Sequence, residues 1–162
     1  YQEALGDVSI VRSMPNTPSI IGSGMTALCA SSQASKEQVL LSKSLFESVG
    51  KVVWVDESMM DIVTAISGSG PAYVFYFIEC LISSAVKVGM KEDLARELAI
   101  MTVYGSANYA LESEQNLQEL RERVTSPGGT TEAALEVLTN GDFKDCIDLA
   151  ISQAKKRSEE LN

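Results

Sequence analysis

The chain of 162 residues is 45% hydrophobic and 22% charged, an ordinary globular composition for a size that buries about 70% of its unfolded surface without disulfides or metal. Its formal charge of -9 argues against nucleic acid or an anionic membrane as partner, because Lys/Arg patches hold both. Histidine is absent, which excludes a Ser-His-Asp triad, a Cys-His pair and a His metal site, and Cys29, Cys80 and Cys146 show neither CxxC spacing nor a disulfide pattern.

Along the chain, the polar stretch from Tyr1 to Asp7 has no signal-peptide pattern and reads as a start within a longer protein. Val8 to Arg12 alternates and is β-branched, so a strand is expected there. Met14-Pro15-Asn16-Thr17-Pro18 follows; its two prolines forbid helix and fix an extended turn. Met25 to Ala30 is a second expected strand. Ser35, with Gln38 three later, offers a capping box for a helix whose apolar face is Leu41, Leu45 and Val49, closed by Gly50 as the residue after the helix. Val52 to Val55 reads as a short buried strand. This α/β pattern is too small for a complete doubly wound sheet and looks like the tail of one.

From Glu57 onward the pattern is helical. A helix is expected over Glu57 to Ile66, interrupted at Ser67-Gly68-Ser69-Gly70 by a hinge and point of close helix packing, before Pro71 opens the next. Pro71 to Val88 is apolar nearly all round. Glu79, Ser83, Ser84 and Lys87 argue against a membrane span, so either its own chain or a second subunit must wrap it. Glu92 to Leu111 forms a long helix with Glu92 and Arg96 spaced to pair. Asn116 with Glu119 caps a short helix, Thr131 to Asn140 ends at Gly141, and the last helix places Ile147, Ala150, Ile151 and Ala154 on one face. The three cysteines sit among apolar residues, so buried thiols in a reducing cytosol are expected.

Two segments carry candidate chemistry. In Val124-Thr125-Ser126-Pro127-Gly128-Gly129-Thr130-Thr131 a Gly-rich turn enters a helix, aiming free N–H groups and the positive dipole end at one point. That suits a carboxylate or phosphate, with Ser126 and Thr131 hydroxyls adding hydrogen bonds; a tight interhelical turn with Thr130 or Thr131 as an ordinary cap is the alternative. Met14-Pro15-Asn16 follows a strand, so it is expected at a sheet's carboxyl edge, where Asn16 would meet a flat ring carboxamide; a rigid turn without ligand is the alternative. Glu57 would reach the same cleft or serve as a first-turn helix acid. Glu112, Glu114, Glu119 and Glu122 read as a solvated face, and no metal site is expected.

Taken together and in order, Arg12 to Pro18, Ser67 to Tyr73 and Val124 to Thr131 make the chain resemble pyrroline-5-carboxylate reductase over essentially its whole length. The resemblance implies hydride transfer from NADPH or NADH to the C=N carbon of 1-pyrroline-5-carboxylate, giving L-proline in the cytoplasm. It implies an α+β fragment, mostly α: residues 1–56 as the tail of a Rossmann-like cofactor domain and 57–162 as an all-helical dimerisation and substrate-binding domain. It implies a homodimer, such dimers commonly assembling further into decamers, with the Gly-rich cofactor fingerprint upstream. On this resemblance Ser126, Gly128, Gly129, Thr130 and Thr131 bind substrate with Glu57 near the ring, amides near Gly129 and Thr130 hold the carboxylate, and the Thr131 hydroxyl serves the ring nitrogen. Met14, Pro15 and Asn16 border the nicotinamide, and Arg123 receives no role. A helical assembly module without chemistry, or a reductase of another imine or keto acid, are the other readings.

Overall fold

The computed structural model describes residues 2–161; Tyr1 and Asn162, the outer ends of the two expected domains, lie outside the described residues. The chain is mostly helical with one three-stranded sheet. It divides into two compact units, Tyr1–Tyr73 with Leu149–Asn162, and Val74–Asp148.

The sheet belongs to the first unit, which begins with a short helix α1 (Gln2–Leu5). Strands β1 (Val11–Met14), β2 (Gly24–Ala30) and β3 (Gly50–Trp54) lie in the order β1-β2-β3. The first pair is antiparallel, with Arg12 opposite Cys29 and Met14 opposite Ala27; the second is parallel, from Gly24 with Gly50 to Leu28 with Trp54. As the central strand, β2 is buried on both faces, at Thr26 and Leu28 on one and at Ala27 and Cys29 on the other.

The first strand is displaced from the expected Val8 to Arg12. Pairing ends where β2 ends, at Ala30, so among the described residues Val8 and Ser9 have no strand beside them, and Ile10 is joined to Ser31 alone. At the other end Met14 still pairs, and Pro15, lacking an N–H, stops the strand. The expectation of a buried third strand is also corrected. β3 is an edge strand whose Val53 and Trp54 are exposed.

Helix α2 (Lys36–Glu47) starts as expected, with Ser35 and Gln38 capping each other. Its half-buried stripe is Val39, Ser42, Lys43 and Phe46, not the expected Leu41 and Leu45, which remain 60% and 62% exposed. The helix ends at Glu47 with Ser48 as its C-cap, so Gly50 is not its terminator but the first residue of β3. There its φ is +154°, and a Cβ would lie 2.0 Å from the Gly24 carbonyl oxygen. Both observations demand glycine where β2 and β3 begin side by side.

Glu57–Lys87 is one helical run of 31 residues. It opens as a 3-10 turn at Glu57–Met59, becomes α3 (Met60–Val63), widens to a π-turn at Thr64–Gly68 and continues as α4 (Gly70–Lys87). The expected interruption at Ser67–Gly70 takes the form of a π-turn, in which the Ser69 N–H donates to the Thr64 carbonyl at 2.8 Å. Met60 is fully buried and packs with Ala27 and Cys29, flanked by Met14, Val55 and Val63.

The second unit contains the rest of α4, α5 (Glu92–Glu112), α6 (Leu117–Arg123), α7 (Thr130–Asn140) and the start of α8 (Phe143–Leu161). Its buried apolar side chains are small ones, Ala95 and Ala99 on α5. Phe75, Tyr76 and Phe77 on α4 and Met101 and Tyr104 on α5 are exposed. The Glu57–Lys87 run is long and apolar enough to cross a membrane by length and composition only. Cys29 is buried as expected, but Cys80 and Cys146 are exposed, on helix faces this chain does not cover. Glu92 and Arg96 are both exposed and form no ion pair among the described residues, since holding two long side chains together in water gains little. On α8 the half-buried stripe is Ile151, Ala154, Lys155 and Ser158, with Ser158 donating to Asp61 at 2.6 Å; Ile147 and Ala150 of the expected face are exposed.

Gly50→Ala should destabilise the first unit by about 2 kcal/mol or more, through the forced shift against Gly24, as read from a lowered urea midpoint at unchanged m-value.

Candidate functional site

The Met14-Pro15-Asn16 turn is built against the π-turn. The Asn16 amide Nδ2 donates to the Ser67 carbonyl at 3.1 Å, and its Oδ1 accepts from the Met25 N–H at 2.9 Å. A Cβ on Gly68 would sit in ordinary contact with the Met14 sulfur, 3.4 Å away. Two of the three sequence segments are thus joined directly, and Asn16 is first a cross-brace. One N–H and one lone pair of its carboxamide remain for a ligand. Pro15 is exposed, while Met14 is half-buried. The sheet has no single carboxyl edge here: because β1 runs antiparallel to β2, the end of β1 lies beside the beginnings of β2 and β3.

Glu57, in the first turn after β3, is held at both oxygens. Arg12 pairs with Oε1, and the Cys29 thiol donates to Oε2 at 2.7 Å. Arg12 and Cys29 are directly opposite in the β1–β2 pairing, so their side chains leave the same sheet face. The Cys29 hydrogen bond, together with Arg12, lowers the Glu57 pKa against a smaller desolvation effect. Burial first, then the Glu57 carboxylate, pushes the Cys29 thiol up to about 11. Such a thiol is a weak nucleophile at neutral pH.

In the second unit, Ser126-Pro127-Gly128-Gly129 forms a tight turn. The Gly129 N–H donates to the Ser126 carbonyl at 3.0 Å, and Gly128 has φ +71°, the pattern of a type II turn with Pro in its second and Gly in its third position. Helix α7 then starts at Thr130 with Gly129 as its N-cap and no side-chain cap. Neither Thr130 nor Thr131 caps it, contrary to the alternative reading. The Gly129 amide is already bonded, so it is not among the free donors the sequence suggested. The Gly128 N–H donates to the Glu132 carboxylate at 2.7 Å. Among the described residues the amides of Thr130, Thr131 and Glu132 meet no acceptor, and neither does the Thr131 hydroxyl. Ser126, Pro127, Gly128 and Thr130 are exposed, and Thr131 is half-buried.

The sequence reading missed Glu132 and the Arg12–Cys29 pair around Glu57. Glu132 lies at the third helical position, where first-turn acids are favoured, so that signal was present. Arg12 and Cys29 lie 17 positions apart, and only strand register brings them together. Arg123 donates to Gln115 at 2.5 Å, which ties the end of α6 back to the turn before it.

Asn16→Ala should cost about 1–3 kcal/mol, because it strips a partner from the Met25 amide and from the Ser67 carbonyl; thermal melting checks this. Because the folded pKa of Glu57 is depressed, its stabilisation is present above the ordinary value of 4.5 and is lost as pH falls through the folded value. A small melting advantage of the wild type over Glu57→Gln should accordingly vanish in acid. Alkylation of Cys29 should accelerate only as pH approaches about 11, measured by mass spectrometry against the other two thiols.

Residues 57–161 match the family described as pyrroline-5-carboxylate reductase dimerisation. The chain is 43% identical over 160 residues to a pyrroline-5-carboxylate reductase of Synechocystis sp., covering 99% of this chain and 60% of that protein. It superimposes with a TM-score of 0.95 and 42% identity on the solved structure of a pyrroline-5-carboxylate reductase from Coxiella burnetii, covering 99% of this chain and 60% of that one. With the Plasmodium falciparum pyrroline carboxylate reductase, solved with NADP bound, the TM-score is 0.93 at 35% identity, covering 99% of this chain and 65% of that one. The chain therefore spans about 60% of the length of these relatives. The segments that the fold ties together at Asn16, the uncapped turn into α7 and a family match over more than half of the residues lead to one conclusion: the chain belongs to the pyrroline-5-carboxylate reductase dimerisation family.

Proposed function

We propose that this chain is part of an NADPH- or NADH-dependent reductase that converts 1-pyrroline-5-carboxylate to L-proline. The observation that carries the reading is the start of α7: consecutive amides without acceptors among the described residues, at the positive end of a helix, behind a Pro-Gly-Gly turn whose Pro127 and Gly128 are exposed. That arrangement suits a small carboxylate, each charge-assisted bond to which is worth about 1.5–3 kcal/mol. Ser126, Gly128, Gly129, Thr130 and Thr131 shape the substrate site, with the Thr130 and Thr131 amides as carboxylate donors. Thr131 is the catalytic residue, its free hydroxyl serving the ring nitrogen. Hydride adds to the C=N carbon, the π pair moves to nitrogen, and the Thr131 hydroxyl orients that nitrogen and helps deliver its proton. A C=N carbon whose nitrogen accepts this hydrogen bond is already electrophilic, so positioning suffices where histidine is absent.

The reduced nicotinamide supplies the hydride. Met14, Pro15 and Asn16 would border it: Pro15 offers an exposed apolar wall and Asn16 the amide hydrogen its brace leaves over. Glu57 would stand near the substrate ring, its carboxylate kept ionised by Arg12 and Cys29. The domain boundary at 56/57 is supported by the start of the family match at residue 57. The exposed apolar faces of α4 and α5 support a homo-oligomer, in which a second copy rather than lipid covers them. Dimers assembling into decamers and a cytoplasmic location complete the proposal.

The full-length protein that contains this chain should reduce 1-pyrroline-5-carboxylate with NADPH or NADH, followed as loss of nicotinamide absorbance. Thr131→Ala should lower kcat by about a hundredfold, the low end of what a positioned proton donor contributes, at unchanged oligomeric mass. Wild-type turnover in that variant would remove Thr131 from its role, and no turnover in the parent would remove the reaction.

A further inference from the structure

Glu132 places a formal negative charge at the same helix end that offers the free amides. Its Oε2 accepts the Gly128 N–H at 2.7 Å, its side chain is half-buried, and among the described residues it forms no ion pair. The arginines of α6 do not neutralise it: Arg123 is bound to Gln115, and Arg121 makes no ion pair with it. An acid in the first turn stabilises the helix by opposing the positive dipole end. The same opposition weakens that end as an anion site, because a bound carboxylate must share the donor cluster with a like charge.

We propose that the Glu132 carboxylate is a built-in competitor at the substrate turn, setting how tightly the enzyme holds a carboxylate ligand. The proposal rests on the reductase reading above. Glu132 has two separable actions: it clips the turn through Gly128, and it repels an incoming anion. Glutamine at this position retains a carbonyl oxygen of the same reach for the Gly128 N–H and removes only the charge. Alanine removes both. The clip fixes Gly128 in its left-handed conformation, so the charge accompanies a useful brace, and release of the substrate carboxylate is eased by the repulsion.

The test uses full-length enzyme, wild type and Glu132→Gln, titrated calorimetrically with L-proline and with L-prolinamide, which lacks the carboxylate. Glu132→Gln should tighten L-proline about fivefold, equivalent to about 1 kcal/mol, and give no gain for L-prolinamide, which at neutral pH is a cation. The KM for 1-pyrroline-5-carboxylate should fall with it. Unchanged or weaker proline binding in an enzyme that still turns over would overturn the competitor role alone. An equal gain for both ligands would also overturn it, by pointing to altered turn geometry in place of charge. Absence of both turnover and proline binding in the wild type would overturn the reductase reading, and this inference with it.

Discussion

A helix that begins without a side-chain cap leaves donors that the chain itself does not satisfy. That constraint governs the start of α7 in the second unit. Gly129 is the N-cap of α7 and has no side chain to fold back, and the neighbouring threonines stay inside the helix. The preceding turn consumes the Gly129 amide and Glu132 takes that of Gly128, so the remaining unpaired amides form one compact group. An unpaired amide is costly only where water cannot reach it. On an exposed turn it stays solvated until a ligand replaces the water, which suits a site that must bind and release.

The first unit solves a different problem, that of holding a turn of two prolines in one place. Asn16 does so by bonding across to Ser67 and Met25 at once, and the π-turn presents the carbonyl it needs. The same sheet face that carries Met14 carries Arg12 and Cys29, which grip Glu57 from one side. A motif of turn residues, a widened helical turn and an acid at a helix start are therefore parts of one construction around β2. Its fully buried members, Leu28 and Met60, supply the packing that keeps the polar contacts in register.

The second unit shows the opposite balance. Its helices bury little beyond Ala95 and Ala99 and leave large aromatic side chains on α4 facing out. Apolar area of this extent is normally covered by a partner. Residues 57–161, which match the dimerisation family, carry most of that exposed apolar surface. Cys80, and Leu41 and Leu45 on α2, are likewise exposed.

Sequence alone determined whatever depends on near neighbours. The capping boxes at Ser35 and Asn116, the Pro-Gly-Gly turn into α7 and the all-round apolarity of α4 follow from spacings of three or four residues, and each was legible. The order of three short segments was enough to place the family. Spacing could not say which amides of the turn stay free, because that depends on where Ser126 and Glu132 direct their acceptors. Nor could it give the cross-brace at Asn16, which joins residues 51 apart, or the grip on Glu57, which requires Arg12 and Cys29 in register. The faces of α2 and α8 were misjudged for the same reason: an apolar stripe fixes what a helix is able to bury, whereas the packed neighbour decides what it does bury. Tertiary structure decided these points because hydrogen bonds and burial are set by distance in space, to which sequence separation beyond a helical turn gives no guide.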